Sequence, residues 1–303
     1  MGVANSFGSE PAQPTIAEDR SHLSGACVEV CPVGVLSRQG NRVCIDRKRY
    51  FGCIGCAQCA MVCPTGSITV TGRRTSPDDL VPLPRPEERA TVDQLDALFL
   101  SRRSVRRFTA EPVPHSVIER VVRMAATAPM GIPAWEVGSV LFEGREKVQE
   151  LAQDVVGVYR GMLKVMDHPV VRALVRPFMK TNRYAQWRSF ILPFGRALVE
   201  ERELGRDAVL YDAPAAFLFH FSPYADSAGA VIACTYAMLA ADSMGLGTCM
   251  IGCVSPPLAM RKTLLRKYGI PAGHTPSIVL IMGYPAVQYQ RAVRRAFGWV
   301  NHY

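Results

Sequence analysis

Seven of the ten cysteines fall between Cys27 and Cys63, and four of them form the run Cys53-Ile54-Gly55-Cys56-Ala57-Gln58-Cys59-Ala60-Met61-Val62-Cys63-Pro64. Thiolates at C-x2-C-x2-C-x3-C-P spacing hold iron–sulfur clusters, because soft sulfur donors suit iron in that setting. Small residues such as Gly55 and Ala57 let the backbone close around an inorganic core. A structural zinc site does not ordinarily use this four-cysteine spacing, so iron is the expected metal. Thiols packed this densely point to metal ligation in a reducing compartment rather than to a disulfide scaffold.

A second set of residues carries charge instead of sulfur. Ser101-Arg102-Arg103-Ser104-Val105-Arg106-Arg107-Phe108 places arginines and hydroxyls at the end of a helical pattern. Guanidinium and hydroxyl groups together suit a phosphate and the polar edge of a ring. Taken alone, an arginine-rich helix end is equally well explained by solvation.

The elements that must position these groups can be read from periodicity. Residues 1–17 carry Gly, Ser, Pro and few large apolar groups and are expected to be a flexible lead-in. A cysteine-rich domain follows over residues 18–71, and the Pro- and charge-rich stretch 72–90 is expected to be a linker. The last domain spans 91–303. It opens with a helix from Thr91, with Val92, Leu95, Leu98 and Phe99 on one face, and a second from Pro114 through Val117, Ile118, Val121, Val122 and Met124. Apolar runs at 137–142, 215–221 and 277–283 predict strands. A helical stretch from 144 to 206, broken near Pro169 and Pro193, separates the first two, and a small-residue helix runs from Ser227 to Met244 and ends at Gly245. Strands separated by helices indicate a layered α+β domain.

Composition narrows the classes. The chain has 303 residues, 49% of them apolar, and a formal charge of +9. It has no run of about 18 uncharged apolar residues, so no membrane span is expected. The first twenty residues lack a basic start and an apolar core, and a cytoplasmic protein is expected. No basic stretch is interleaved with aromatics, so the charge predicts a solvated surface or an acidic protein partner rather than nucleic acid.

Residues 18–70 resemble a dicluster ferredoxin, in which three cysteines of one motif share their cluster with a fourth from the other. Cys31-Pro32 supplies that fourth position. The resemblance implies one 4Fe-4S cluster on Cys31, Cys53, Cys56 and Cys59. At family spacing the earlier motif has Ser21 and Ser24 where cysteines belong, so the other site keeps only Cys27 and Cys63 and no second cluster is expected there. Those two thiols are expected to be free, the alternative being a disulfide if their Cα atoms come within about 7 Å. Cys44, in Val43-Cys44-Ile45, is expected in a strand, and Cys234, Cys249 and Cys253 in apolar surroundings.

Residues 91–300 resemble the FMN-dependent nitroreductases. The resemblance rests on the arginine run, which looks like an R-x-S-x-R/K-x-F entry motif, and on Ala128-Pro129-Met130-Gly131-Ile132-Pro133, Gly245-Leu246-Gly247-Thr248-Cys249, and Gly283-Tyr284-Pro285 followed by Arg291 and Arg294. It implies a sheet flanked by helices in a homodimer, with FMN between the chains. By position, Arg102, Arg103 and Ser104 would hold the phosphate and ribityl chain, and Arg106 the N1 and O2 edge of the ring. Arg291 and Arg294 would close on the phosphate, while Ile251 and Gly252 would bring backbone close to N5. The family's polar P-S-x-x-N-x-Q-P-W segment is replaced by Pro129-Met130-Gly131-Ile132-Pro133-Ala134-Trp135, so contact there would come from the backbone of Met130 and Gly131. The 144–206 stretch, with Tyr159, Tyr184, Trp187 and Phe190, would either cover the site or simply pack.

A nicotinamide delivers hydride to a flavin without a metal relay, so a fused cluster implies one-electron steps. The expected function is two-electron, nitroreductase-type reduction of a small organic substrate, with a ferredoxin-like protein as electron donor or acceptor. A non-enzymatic electron carrier or redox sensor is the alternative.

Overall fold

Among the described residues, every strand and every α-helix before residue 90 is four residues long, in a chain punctuated by cysteine, glycine and proline. The structure, a computed structural model, describes residues 12–17, 24–49, 52–130, 134–166, 168–178 and 180–303. Ser21 and Gly131 lie outside the described residues. Contacts divide the chain into two units, one of residues 1–89 with 129–138 and 221–230, the other of 90–128, 139–220 and 231–303.

In the first unit, strand β1 (Gln13–Ile16), helix α1 (Ala26–Glu29), strands β2 (Leu36–Gln39) and β3 (Arg42–Ile45), helix α2 (Gln58–Met61) and strand β4 (Ile68–Thr71) follow in order. β1 pairs antiparallel with β4, Gln13 opposite Thr71 and Ile16 opposite Ile68. This corrects the lead-in reading of residues 13–16. Pro14 donates no hydrogen bond, which suits an outer strand of a two-stranded ladder, and its ring is buried. β2 and β3 form a hairpin closed by Gly40, whose φ of 57° provides the positive value a two-residue turn needs. Cys44 lies in β3, as its alternating neighbours predict. Val35, Leu36, Ile68 and Val70 pack with Cys27 and Cys59 in the core.

The second unit opens with α3 (Val92–Ser101), capped by Thr91, whose Oγ1 accepts from the Gln94 N–H at 3.3 Å while Gln94 Oε1 accepts from the Thr91 N–H at 2.9 Å. Helix α4 (His115–Ala126) buries Ile118, Val121 and Ala125 at helical spacing, and Met124 is exposed. Then come β5 (Val137–Glu143), α5 (Arg145–Met166), α6 (Pro169–Val175), α7 (Thr181–Gln186), a π-helical turn at Trp187–Ile191, and α8 (Leu192–Glu203). The predicted break at Pro193 does not occur. Proline sits in the first turn of α8, where its missing N–H leaves no bond unmade, and the widened turn before it keeps the helix continuous.

Strand β6 (Ala215–Phe221), helix α9 (Ser227–Ser243), strand β7 (Gly247–Ile251), helices α10 (Ser255–Ala259) and α11 (Lys262–Lys267) and strand β8 (Thr275–Gly283) complete the chain. The sheet order is β5-β6-β8-β7, with β7 and β8 antiparallel. β6 is buried on both faces except at its last residue, as an inner strand covered by helices must be. β7 is a strand that periodicity did not mark. It begins at Gly247 because a side chain there would meet Val105, whose Cγ2 lies 2.7 Å from the position a Cβ would occupy. Leu151 of α5, Leu218 of β6 and Ile281 of β8 share the main core. Among the described residues, no helix is long and apolar enough to cross a membrane.

Candidate functional site

The cysteine loop of the first unit turns on left-handed residues. Gly52, Gly55 and even Ala57 have positive φ (84°, 74° and 55°), and Ala57 caps α2, which carries Cys59. Curling the chain this way aims the Gly55 N–H at Cys53 Sγ, 3.4 Å away, while Thr75 Oγ1 donates to the Gly55 carbonyl at 3.0 Å. Burial pushes the Cys59 thiol up to about 12, and the nearby charges of Cys53, Cys56 and Cys31 add to it. Cys53 is raised by burial too, with Cys56 and Cys31 contributing. The fold therefore brings Cys31, Cys53, Cys56 and Cys59 together.

Cys27 and Cys63 lie close to each other, and burial, the charge of Cys63 and, less, that of Cys31 raise Cys27. Burial acts to raise Cys63 too, but the hydroxyls of Ser67 (3.3 Å) and Thr65 (3.6 Å) stabilise its thiolate and bring it down to about 6. Ser24 is an exposed turn residue. Among the described residues, no three His, Cys, Asp or Glu side chains close tightly enough to chelate a single ion. A cubane, wider than one ion, asks for four thiolates spread around it.

Sequence reasoning missed Arg73, which it placed in a linker. Gly72 and Thr75 bridge a turn after β4, and Arg73 is 2% exposed, the largest fully buried side chain. Its Cβ and Cδ lie 3.4 Å from where a Cβ on Gly55 would sit, and its charge acts to lower Cys53. Two consecutive arginines with positive φ, Arg73 and Arg74, are the local peculiarity, and nothing in residue type marks it.

In the second unit the arginine run lies along the sheet. Ser104 bridges Thr248 of β7, the Val105 N–H donates to the Thr248 carbonyl at 2.8 Å, and Phe108 bridges Pro285. Arg102 and Arg103, both half-buried, line a groove of about 320 Å³ together with Phe99, Val293 and Arg295. Asp96 is the acid in its wall. Arg291 and Arg294 are exposed and do not line this groove; Arg295 is the C-terminal cation that does. Arg106 stands 5.7 Å over the Tyr211 ring. Cys249 packs in the main core, where burial raises it while the Arg106 charge, the Ser104 hydroxyl and the Arg102 charge act to lower it. Thr248 Oγ1 is fully buried and has no hydrogen-bond partner among the described residues.

Ile251 is buried at the end of β7, and Gly252 follows it, exposed. Gly252 and Cys253 border a cavity of about 540 Å³ walled by α5, the π turn, α8 and α10. Tyr159 and Trp187 line it, so part of the 144–206 stretch does form a cavity wall. Pro129 is exposed and Met130 half-buried, in the segment grouped with the first unit. His168 is exposed. His220 is buried, with Nδ1 2.9 Å from Nδ1 of His274, and burial followed by the His274 charge holds it down at about 4, neutral near pH 7.

The fold is a four-stranded sheet with helices around it, next to a groove lined by Arg102, Arg103 and Arg295. The chain belongs to the Nitroreductase family, whose pattern residues 100–284 match. Among solved structures, a nitroreductase with bound FMN from Bacteroides fragilis is 17% identical, with a TM-score of 0.51, covering 69% of this chain and 99% of that one; at this identity the likeness is one of fold. Two Escherichia coli proteins match a shorter stretch. Hydrogenase-4 component A is 40% identical over 48 residues, and YsaA, named for electron transport, is 38% identical over 48 residues. Each match covers 16% of this chain, and the chain spans only 22% and 29% of these two relatives.

Proposed function

We propose that this protein is an FMN-dependent oxidoreductase in which a 4Fe-4S cluster on Cys31, Cys53, Cys56 and Cys59 relays single electrons to or from FMN, for two-electron reduction of a small organic substrate. The observation that carries the reading is the gathering of those four thiols in one short module of a nitroreductase-family chain. The cluster domain is residues 18–71 together with β1, which pairs with β4, and the turn at Arg73, and the FMN domain is residues 91–303. An iron–sulfur cluster moves one electron at a time and FMN takes either one or two, which is the chemistry the two groups supply when bound.

The residues present fit both groups. Left-handed turns at Gly52, Gly55 and Ala57 leave the cysteine loop open to a cluster, and the Gly55 N–H supports a thiolate at Cys53. For FMN, Arg102 and Arg103 would hold the phosphate, Ser104 the ribityl chain, and Arg106 the ring edge, where a cation favours a reduced, anionic ring. The buried, unpartnered Thr248 hydroxyl beside Ser104 is a donor waiting for a polar ligand. Arg291 and Arg294 would complete the phosphate contacts, alongside Arg295. Pro129, Met130 and Gly131 would offer backbone contacts to the ring, and Ile251 and Gly252 would bring bare backbone to N5.

A homodimer belongs to this reading, supported by the exposed apolar side chains Val92, Phe99 and Leu100 on α3 and Phe297 and Trp299 near the C-terminus. An acidic ferredoxin-like protein is the natural partner for a chain of charge +9. The cavity at Gly252 favours an enzyme over a pure electron carrier, which needs no room for a small molecule.

Anaerobically prepared protein should contain about four irons per chain and FMN. Cys56→Ala should abolish flavin reduction by reduced ferredoxin while leaving reduction by dithionite intact. A Cys56→Ala protein that accepts electrons from ferredoxin at the native rate would sink the relay.

A further inference from the structure

The cavity beside Gly252 has a chemical character opposite to that of the arginine groove. Its wall holds Met162 and Met166 of α5, Trp187 and Phe190 of the π turn, Phe194 of α8 and Met260 after α10, with no charged side chain among the described residues. Its polar groups are already spoken for. Tyr159 Oη donates to the Cys253 carbonyl at 2.9 Å, and burial pushes the Cys253 thiol up to about 11, so it stays neutral near pH 7.

Phe190 and Phe194 stack with their rings 5.7 Å apart and 11° from parallel, giving the wall a flat, aromatic face. The methionines in the same wall are unbranched and polarizable, able to fit rings of differing outline. At about 540 Å³ the space lies within the range of roughly 300–1,000 Å³ found for small-molecule sites. An anion entering it would shed hydration and find no counter-charge among the described residues, which disfavours its binding.

We infer that the cavity walled by α5, the Trp187–Ile191 turn, α8 and α10 is the substrate site, and that it takes uncharged, largely apolar molecules of fused-ring size. The assignment rests on the proposed function, in which Gly252 adjoins the reacting end of FMN. The two cavities then divide recognition by charge. The groove of Arg102, Arg103 and Arg295 selects the anionic end of the cofactor, and the Met162–Phe194 cavity selects substrates without charge.

The test uses the full-length holoprotein and two bicyclic probes, neutral menadione and a naphthoquinone sulfonate. Calorimetry should show menadione binding at least about tenfold more tightly. Met162→Trp, which fills the space, should weaken menadione by at least about tenfold with an unchanged melting temperature. Phe190→Arg, at a residue 61% exposed and therefore tolerant of change, should strengthen sulfonate binding and remove the preference. Equal binding of both probes, no binding of menadione, or preferences unmoved in folded variants would overturn the inference. FMN content is read separately from visible absorbance. Protein without flavin that still prefers menadione would count against the proposed function and leave the cavity's specificity standing.

Discussion

The two units solve the problem of stability by different means. Among the described residues, the apolar cluster of the first unit comprises eight buried residues, two of them cysteines and two alanines, and its elements are single turns and short ladders. The main cluster of the second comprises twenty, drawn from α5, α8, α10, β5, β6, β7 and β8 and the loops between them. A core of the first size offsets little of the entropy of ordering its chain, which is why small modules recruit metals. In the first unit, then, Cys59 is at once a core residue and one of the thiols proposed to hold the cluster. In the second the site lies at the margin of a core that stands without it.

The sharpest test of that contrast is Cys59→Ala. Losing one ligand should remove the iron–sulfur absorbance and amide-exchange protection throughout β1–β4, while β6 and β8 keep theirs. Protection of β1–β4 at native levels would show that the eight-residue core suffices.

Leu218→Ala makes the reciprocal cut. Leu218 is fully buried in β6, so its truncation should cost the second unit about 2–5 kcal/mol by chemical denaturation. Iron content should stay native, and an equal loss of iron would mean the units are not independent in stability.

Acid probes the second unit more gently. His220 is held at about 4 against an ordinary 6.5, so between these values the unfolded chain binds the extra proton and the folded chain does not. Stability should therefore fall as pH drops from 6.5 toward 4, by a few kcal/mol at most, and level off below. His220→Gln should flatten that slope in denaturation curves taken across the window, and an unchanged slope would assign it to other groups.

The smallest effect is expected at α3, the part of the second unit that most resembles the first, because it buries nothing and depends on its cap. Thr91→Ala should cost about 1 kcal/mol, seen as faster amide exchange in residues 92–101 alone.

Legibility in the sequence followed the same divide. Metal-ligand spacing is a local property, so Cys53, Cys56 and Cys59 could be read from the chain directly. Arg73 could not, because its burial depends on a turn that folds back under Gly55. Strands β5, β6 and β8 announced themselves as apolar runs, whereas β7 was hidden by Gly247 and Thr248, whose places are fixed by Val105 and Ser104 far away in the chain. β1 was hidden by Pro14, a residue that argues against strands everywhere except at an edge. Around the arginine groove, Arg295 rather than Arg291 or Arg294 faces Arg102, a choice set by the path of an extended segment with no periodicity to read.

The widened turn at Trp187–Ile191 has a consequence for how such a protein can vary. A π turn holds one residue more than an α-helical turn. Deleting any one residue from it would restore α-helical phase and rotate α7 and Trp187 by about 100° relative to α8. Phe194, edge-on to Tyr159 with ring centres 6.3 Å apart, and Leu198 in the core would stay where they are. The aromatic wall would lose its Trp187 corner while the fold beneath it stayed intact. Chain length at this single point therefore sets the Trp187 corner of the cavity's outline, beside what the lining side chains contribute.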